Sequence, residues 1–88
     1  MFLISDRIKT FGDSMRPLLL DGDVVFFKKK PYPRIKVDDI VVVKKNKTFF
    51  THRVIYKKEN YLVTKGDDND SSDWKIYSKN VIGIVHKI

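Results

Sequence analysis

Apolar residues in this chain come in short β-branched and aromatic runs parted by turn residues, and nowhere do they sustain a helical period. That pattern builds strands, because such side chains pack well on a pleated surface. Five runs read as strands: Val24 to Phe27, Ile40 to Val43, Thr48 to Tyr56, Tyr61 to Thr64 and Val81 to Val85. A weaker alternation from Arg7 to Phe11 makes a sixth. The unbroken run Ile40-Val41-Val42-Val43 predicts burial on both faces. Alternation along the Thr48 strand places Phe50, His52, Val54 and Tyr56 on one face and Thr51, Arg53 and Ile55 on the other. Between the runs, Asp21-Gly22-Asp23, a four-residue Lys44 to Lys47 and Lys57 to Asn60 read as turns. Pro31 and Pro33 keep Lys28 to Lys36 a loop. Lys65 to Asp73 is a polar loop, with Trp74, Ile76 and Tyr77 as the apolar residues to pin it to the core. The expected fold is mainly β: a small coiled barrel or sandwich of about six short strands.

Length sets the scale of that fold. Eighty-eight residues make one domain, 1–88, with a modest core. The absence of cysteine excludes a disulfide framework and a cysteine-based metal site. Apolar runs stop far short of the ~20 residues of a membrane helix. Met1-Phe2-Leu3-Ile4 is followed at once by Ser5, Asp6 and Arg7, which is not a signal peptide. The expectation is a soluble, cytoplasmic protein, with the membrane periphery as the alternative. A net charge of +7 raises nucleic acid or an anionic membrane surface as a partner. The lysines, however, cluster at turns, as in Lys28-Lys29-Lys30, Lys44-Lys45 and Lys57-Lys58, where they keep a sheet soluble. Aromatics such as Phe49, Tyr56 and Tyr61 alternate with aliphatics as core residues do, so nucleic acid is not expected.

Chemistry concentrates in Gly12 to Asp23. One serine, Ser14, sits between a glycine turn and the apolar run Leu18-Leu19-Leu20. A serine after a tight turn holds its hydroxyl clear, with backbone N–H groups beside it, as a nucleophile needs. The simpler reading makes Ser14 or Asp13 the cap of a short helical turn, with Pro17 in its first turn and Met15, Leu18 and Leu19 buried together. His52 lies within a strand, and Asp67 and Asp73 lie in the acidic loop after the next one. Serine, histidine and carboxylate together suit nucleophilic catalysis. Each residue type also has a plain structural use, and a strand histidine is more often a satisfied core or surface residue.

The order of the segments adds to this. Ser14-Met15-Arg16-Pro17 followed by Leu18-Leu19 and Gly22-Asp23, then Asp38-Asp39-Ile40-Val41-Val42, His52-Arg53-Val54, Lys65-Gly66-Asp67-Asp68 with Asn69, Asp73, and Val81-Ile82-Gly83 resemble the signature boxes of the signal peptidase I family. The resemblance is to its endoplasmic-reticulum and archaeal type and runs from about Gly12 to Val85. It implies the coiled β fold shared by signal peptidases and SOS-repressor proteases. It also implies a serine endopeptidase that cuts after a small residue. Bacterial members pair the serine with lysine, whereas here that position is His52. Carried over, Ser14 is the nucleophile and His52 the base, and Asp67 and Asp73 match two aspartates of orienting or supporting roles. Asp73 is the preferred partner of His52. Lys65 is the candidate if the base is a lysine.

The chain departs from the family in three respects. Only thirteen residues precede Ser14, where family members carry a membrane helix. Asp13 stands where glycine is common, and Gly12 where serine is. The partners implied are a peptide or precursor-protein substrate and a membrane-associated protein; no cofactor and no metal are expected. The alternative function is a catalytically inactive β domain that binds peptides by strand addition.

Overall fold

The computed structural model describes residues 5–87; Met1 to Ile4, read above as no signal peptide, lie outside the described residues. Among the described residues seven strands form one antiparallel sheet: β1 (Ser5–Lys9), β2 (Val24–Lys28), β3 (Ile40–Lys45), β4 (Thr48–Lys57), β5 (Tyr61–Lys65), β6 (Lys75–Tyr77) and β7 (Val81–Lys87). Their order across the sheet is β1-β2-β7-β3-β4-β5-β6, so the last strand enters the middle. Among the described residues the helical segments are two 3₁₀ turns, Tyr32–Arg34 and Ser78–Asn80. The register shifts at Phe26/Phe27, at Val42/Val43 and at Val54/Tyr56. Each irregularity bends a strand and increases its twist, and the sheet curls into a half-barrel.

That curl gives the sheet two apolar faces to cover. Val41 and Val43 of β3 pack with Ile35, Val54, Leu62, Ile76 and Ile84. Ile40 faces the other way, against a second cluster of Met15, Leu19 and Val25. The central strand is thus covered on both sides, as its unbroken apolar run predicts. Burying one such valine stabilises the fold by roughly 1.5–3 kcal/mol. The second cluster bears on function, because it seats the Ser14 segment on the sheet.

Mainly β architecture is as expected, with local differences. A seventh strand, β6, joins the six expected: it has three residues and buries only Ile76. The first strand ends at Lys9 rather than Phe11; Thr10 instead donates its hydroxyl to the carbonyls of Leu20 and Asp23. The β3–β4 turn is shorter than four residues, pairing Lys45 with Thr48 around Asn46 at φ 57°, a conformation asparagine tolerates. Tyr56 does not share the buried face of His52 and Val54. The bulge leaves Ile55 without a partner in β5 and turns Tyr56 outward. Trp74 does not dock in the core but is 84% exposed; Ile76 is the pin. Leu18, at 39% exposure, stays out of the cluster that Met15 and Leu19 enter. Residues 14–18 form a turn and no helix.

Candidate active site

Ser14 reaches its place through a chain reversal. After β1, Thr10 N–H donates to Asp23 O at 2.7 Å and Gly22 N–H to Thr10 O at 2.8 Å, tying both ends of the excursion together. The chain turns at Gly12, whose φ of 85° lies in the region glycine enters without steric cost. Gly12 N–H is held by Asp21 Oδ1 at 2.8 Å. Beyond it, Leu19 N–H donates to Met15 O at 2.9 Å, closing one turn. Met15 and Leu19 drop into the core, and Ser14, one residue earlier, is left at the surface of the cluster. Here the capping role gives way: Ser14 caps no helix, and its Oγ lies 3.0 Å from His52 Nε2.

His52 comes from β4, opposite Val41 of β3. Its ring is buried and lies tilted against Phe50, centroids 4.9 Å apart. On its far side, Nδ1 is 2.5 Å from Asp73 Oδ2. A carboxylate only accepts, so Nδ1 carries the proton; in the neutral form of the ring Nε2 is then the acceptor facing the Ser14 hydroxyl. Asp73 closes the polar loop, its N–H donating to Thr64 O at 2.8 Å. The hydroxyl of Thr64, on β5, donates to the same Asp73 Oδ2 at 2.6 Å. Sequence reasoning passed over Thr64. Its signal was position: with Leu62 it occupies the inward register of a short strand.

Asp67 is elsewhere. Arg53 grips it with two hydrogen bonds, Nε to Oδ1 and Nη2 to Oδ2, both 2.8 Å. Arg53 also donates from Nη1 to Asp38 O at 3.1 Å. The pair is a strut from the histidine strand to the loop, and Arg53 was the second residue missed, although it adjoins His52. Lys65 Nζ donates to Gly66 O at 3.0 Å. The loop in turn clamps the serine. Asp68 N–H donates to Ser14 O at 2.7 Å. A Cβ on Gly66 would stand 2.6 Å from Ser14 O and 2.8 Å from Ser14 Cβ, so only glycine permits this approach.

The strut sets the charge behaviour. Hydrogen bonds from Arg53 hold the Asp67 carboxyl below its ordinary value of 3.8, aided by its charge and those of Lys65 and His52 and opposed by burial. The same hydrogen bonding raises the Arg53 guanidinium, against its own burial. A depressed carboxyl stabilises the fold above its ordinary value and loses that contribution as pH falls through the folded one. Asp67→Asn is therefore expected to lower stability at neutral pH by about 1 kcal/mol, since the pair is partly solvated. Its Tm should also fall less than the parent's between pH 4 and 2, a window bounded by the ordinary 3.8. Melting curves across that range check this; parallel curves for both proteins count against the strut.

Ser14 and His52 open on a surface cleft walled by Ile8, Phe11, Phe49 and Phe50. Serine, base and carboxylate in series can move a proton from Oγ to Nε2 and hold the resulting imidazolium. Among the described residues no group of three or more His, Cys, Asp or Glu is placed to hold a metal ion. No helix among them is long and apolar enough to cross a membrane.

Comparison with known proteins points to peptidases. The family described as Peptidase S24-like matches residues 7–86. The chain is 35% identical over 90 residues to the Signal peptidase complex catalytic subunit SEC11 of Colletotrichum graminicola, covering 94% of this chain and 52% of that protein. It thus spans about half the length of that curated relative. No solved structure matches it.

Proposed function

The chain belongs to the Peptidase S24-like family, and from that premise we propose that it is a serine endopeptidase of the signal peptidase type. Its resemblance to signal peptidase I is borne out by the family match and the likeness to SEC11. In this reading Ser14 is the nucleophile, His52 the general base and Asp73 the carboxylate that holds the imidazole. Asp67 supports the loop. Residues 1–88 act as one catalytic domain. The observation that carries the reading is the relay from Ser14 Oγ to His52 Nε2 at 3.0 Å and from Nδ1 to Asp73 Oδ2 at 2.5 Å. Residues so far apart in sequence meet in this order because β4 and the two loops converge on one edge of the cleft.

The reaction then runs as acyl transfer. His52 Nε2 takes the Ser14 proton as Oγ attacks the scissile carbonyl carbon. The Ser14 N–H is the backbone donor offered to the developing oxyanion. As the carbon–nitrogen bond breaks, Nε2 returns the proton to the leaving amine. Water, deprotonated by the same nitrogen, releases the acyl group and restores Ser14. Asp13 brings a negative charge close to this oxyanion. Its Oδ1 is paired with Arg16 Nη2 at 3.2 Å, and both side chains are more than half exposed, so solvent and the guanidinium screen it. The substrate proposed is a peptide or precursor protein with a small residue before the scissile bond. A membrane-associated protein at the membrane periphery is the partner proposed to present it.

The test uses the whole chain with an internally quenched peptide carrying alanine before the scissile bond, followed by a fluorophosphonate label located by mass spectrometry. Cleavage, with the adduct on Ser14, is expected. Neither cleavage nor adduct, or an adduct on another serine, refutes the assignment.

A further inference from the structure

The proposed relay makes no use of Thr64, yet its hydroxyl ends on the same carboxylate oxygen as the imidazole. Asp73 Oδ2 receives Thr64 Oγ1 at 2.6 Å and faces His52 Nδ1 at 2.5 Å. We infer that Thr64 is a positioning residue: its hydroxyl fixes the Asp73 carboxylate so that Oδ2 stays in line with His52 Nδ1. The inference rests on the serine endopeptidase reading and extends it by a residue that acts only through Asp73.

Three features argue for it. First, Asp73 has little else to hold it in place. It closes a polar loop, and the next residue, Trp74, points into solvent. The Asp73 N–H to Thr64 O bond of 2.8 Å sets the backbone but leaves the carboxylate free to rotate. Second, Thr64 is rigid. It is fully buried, on a paired strand between Val54 of β4 and the loop, and its β-branched side chain has few rotamers. Third, the hydroxyl needs an acceptor, because an unpaired buried hydroxyl is costly. Asp73 Oδ2 is that acceptor. One donor lets a carboxylate swing about its contact; two donors from separate strands, β4 and β5, hold it in a single orientation.

Valine copies the shape of threonine without the donor, and serine keeps the donor without the methyl, so the pair separates positioning from packing. In Thr64→Val, kcat on the quenched peptide is expected to fall by roughly 10²-fold, the scale of a misplacement near 1 Å. KM should stay within about twofold, because no contact to substrate is removed. Thr64→Ser should recover most of the rate. The low-field His52 Nδ1 proton resonance, read without substrate, should be kept in the parent and in Thr64→Ser and be displaced or lost in Thr64→Val. An unchanged resonance and rate in Thr64→Val overturns the inference, as does a Thr64→Ser protein as impaired as the valine variant. If the valine variant does not fold, the parent decides: a cross-relaxation peak between the Thr64 hydroxyl proton and His52 Nδ1–H supports the inference, and its absence refutes it. A parent chain that leaves the peptide uncut refutes the proposed function instead, while the resonance in the two variants still tests the orientation of Asp73.

Discussion

Ser14→Ala is expected to lower peptide turnover by about 10⁶-fold, the size of nucleophile removal in a serine protease, with the fold intact. The separation of the two effects follows from what holds the segment. Met15 and Leu19 are its buried anchors, and Asp68 N–H holds the Ser14 carbonyl at 2.7 Å, a bond alanine keeps. Alanine also keeps the Cβ against which Gly66 packs. The mutation thus removes one hydroxyl and one hydrogen bond to His52, a cost near 1 kcal/mol or less. The check is a progress curve on the quenched peptide beside a melting curve. Parent-like turnover refutes the nucleophile role; loss of the folded state shows the hydroxyl to be structural.

Strand β3 could be read from sequence because Val41, Val42 and Val43 are all fully buried, so no face needed to be guessed. The His52 position could be read because alternation holds over Phe50, His52 and Val54. It fails one residue later, where the bulge at Ile55 reverses the parity and exposes Tyr56. A bulge leaves no mark in a period-two pattern, since an extra residue looks like any other strand residue. Strand β6 escaped because one inward residue, Ile76, carries no period at all. The Trp74 expectation treated size as burial, whereas this loop is held by polar bonds: Asp68 to Ser14, Asp73 to Thr64 and Asp67 to Arg53. Such bonds join residues far apart in the chain, and no local pattern encodes them. For the same reason Thr64 and Arg53 went unread, although each is next to or near a residue that was singled out.

Asp73→Asn is expected to slow the chemical step by roughly 10²–10³-fold, within the range a positioned acid–base group contributes. A larger loss, about 10⁴-fold, follows when an asparagine turns its amide nitrogen toward the histidine and forces the wrong tautomer. The surroundings of Asp73 oppose that outcome. Oδ2 is the meeting point of two donors, His52 Nδ1–H and the Thr64 hydroxyl. An asparagine therefore settles with its carbonyl oxygen there, because its NH₂ would face two hydrogens. The tautomer survives and the negative charge does not. Without that charge the imidazolium formed in the transition state is less favoured, which lowers the plateau rate. A slower enzyme with nearly unchanged Tm is thus the signature of a lost charge. A loss of about 10⁴-fold would indicate the wrong tautomer, and with it a Thr64 hydroxyl that does not direct the amide.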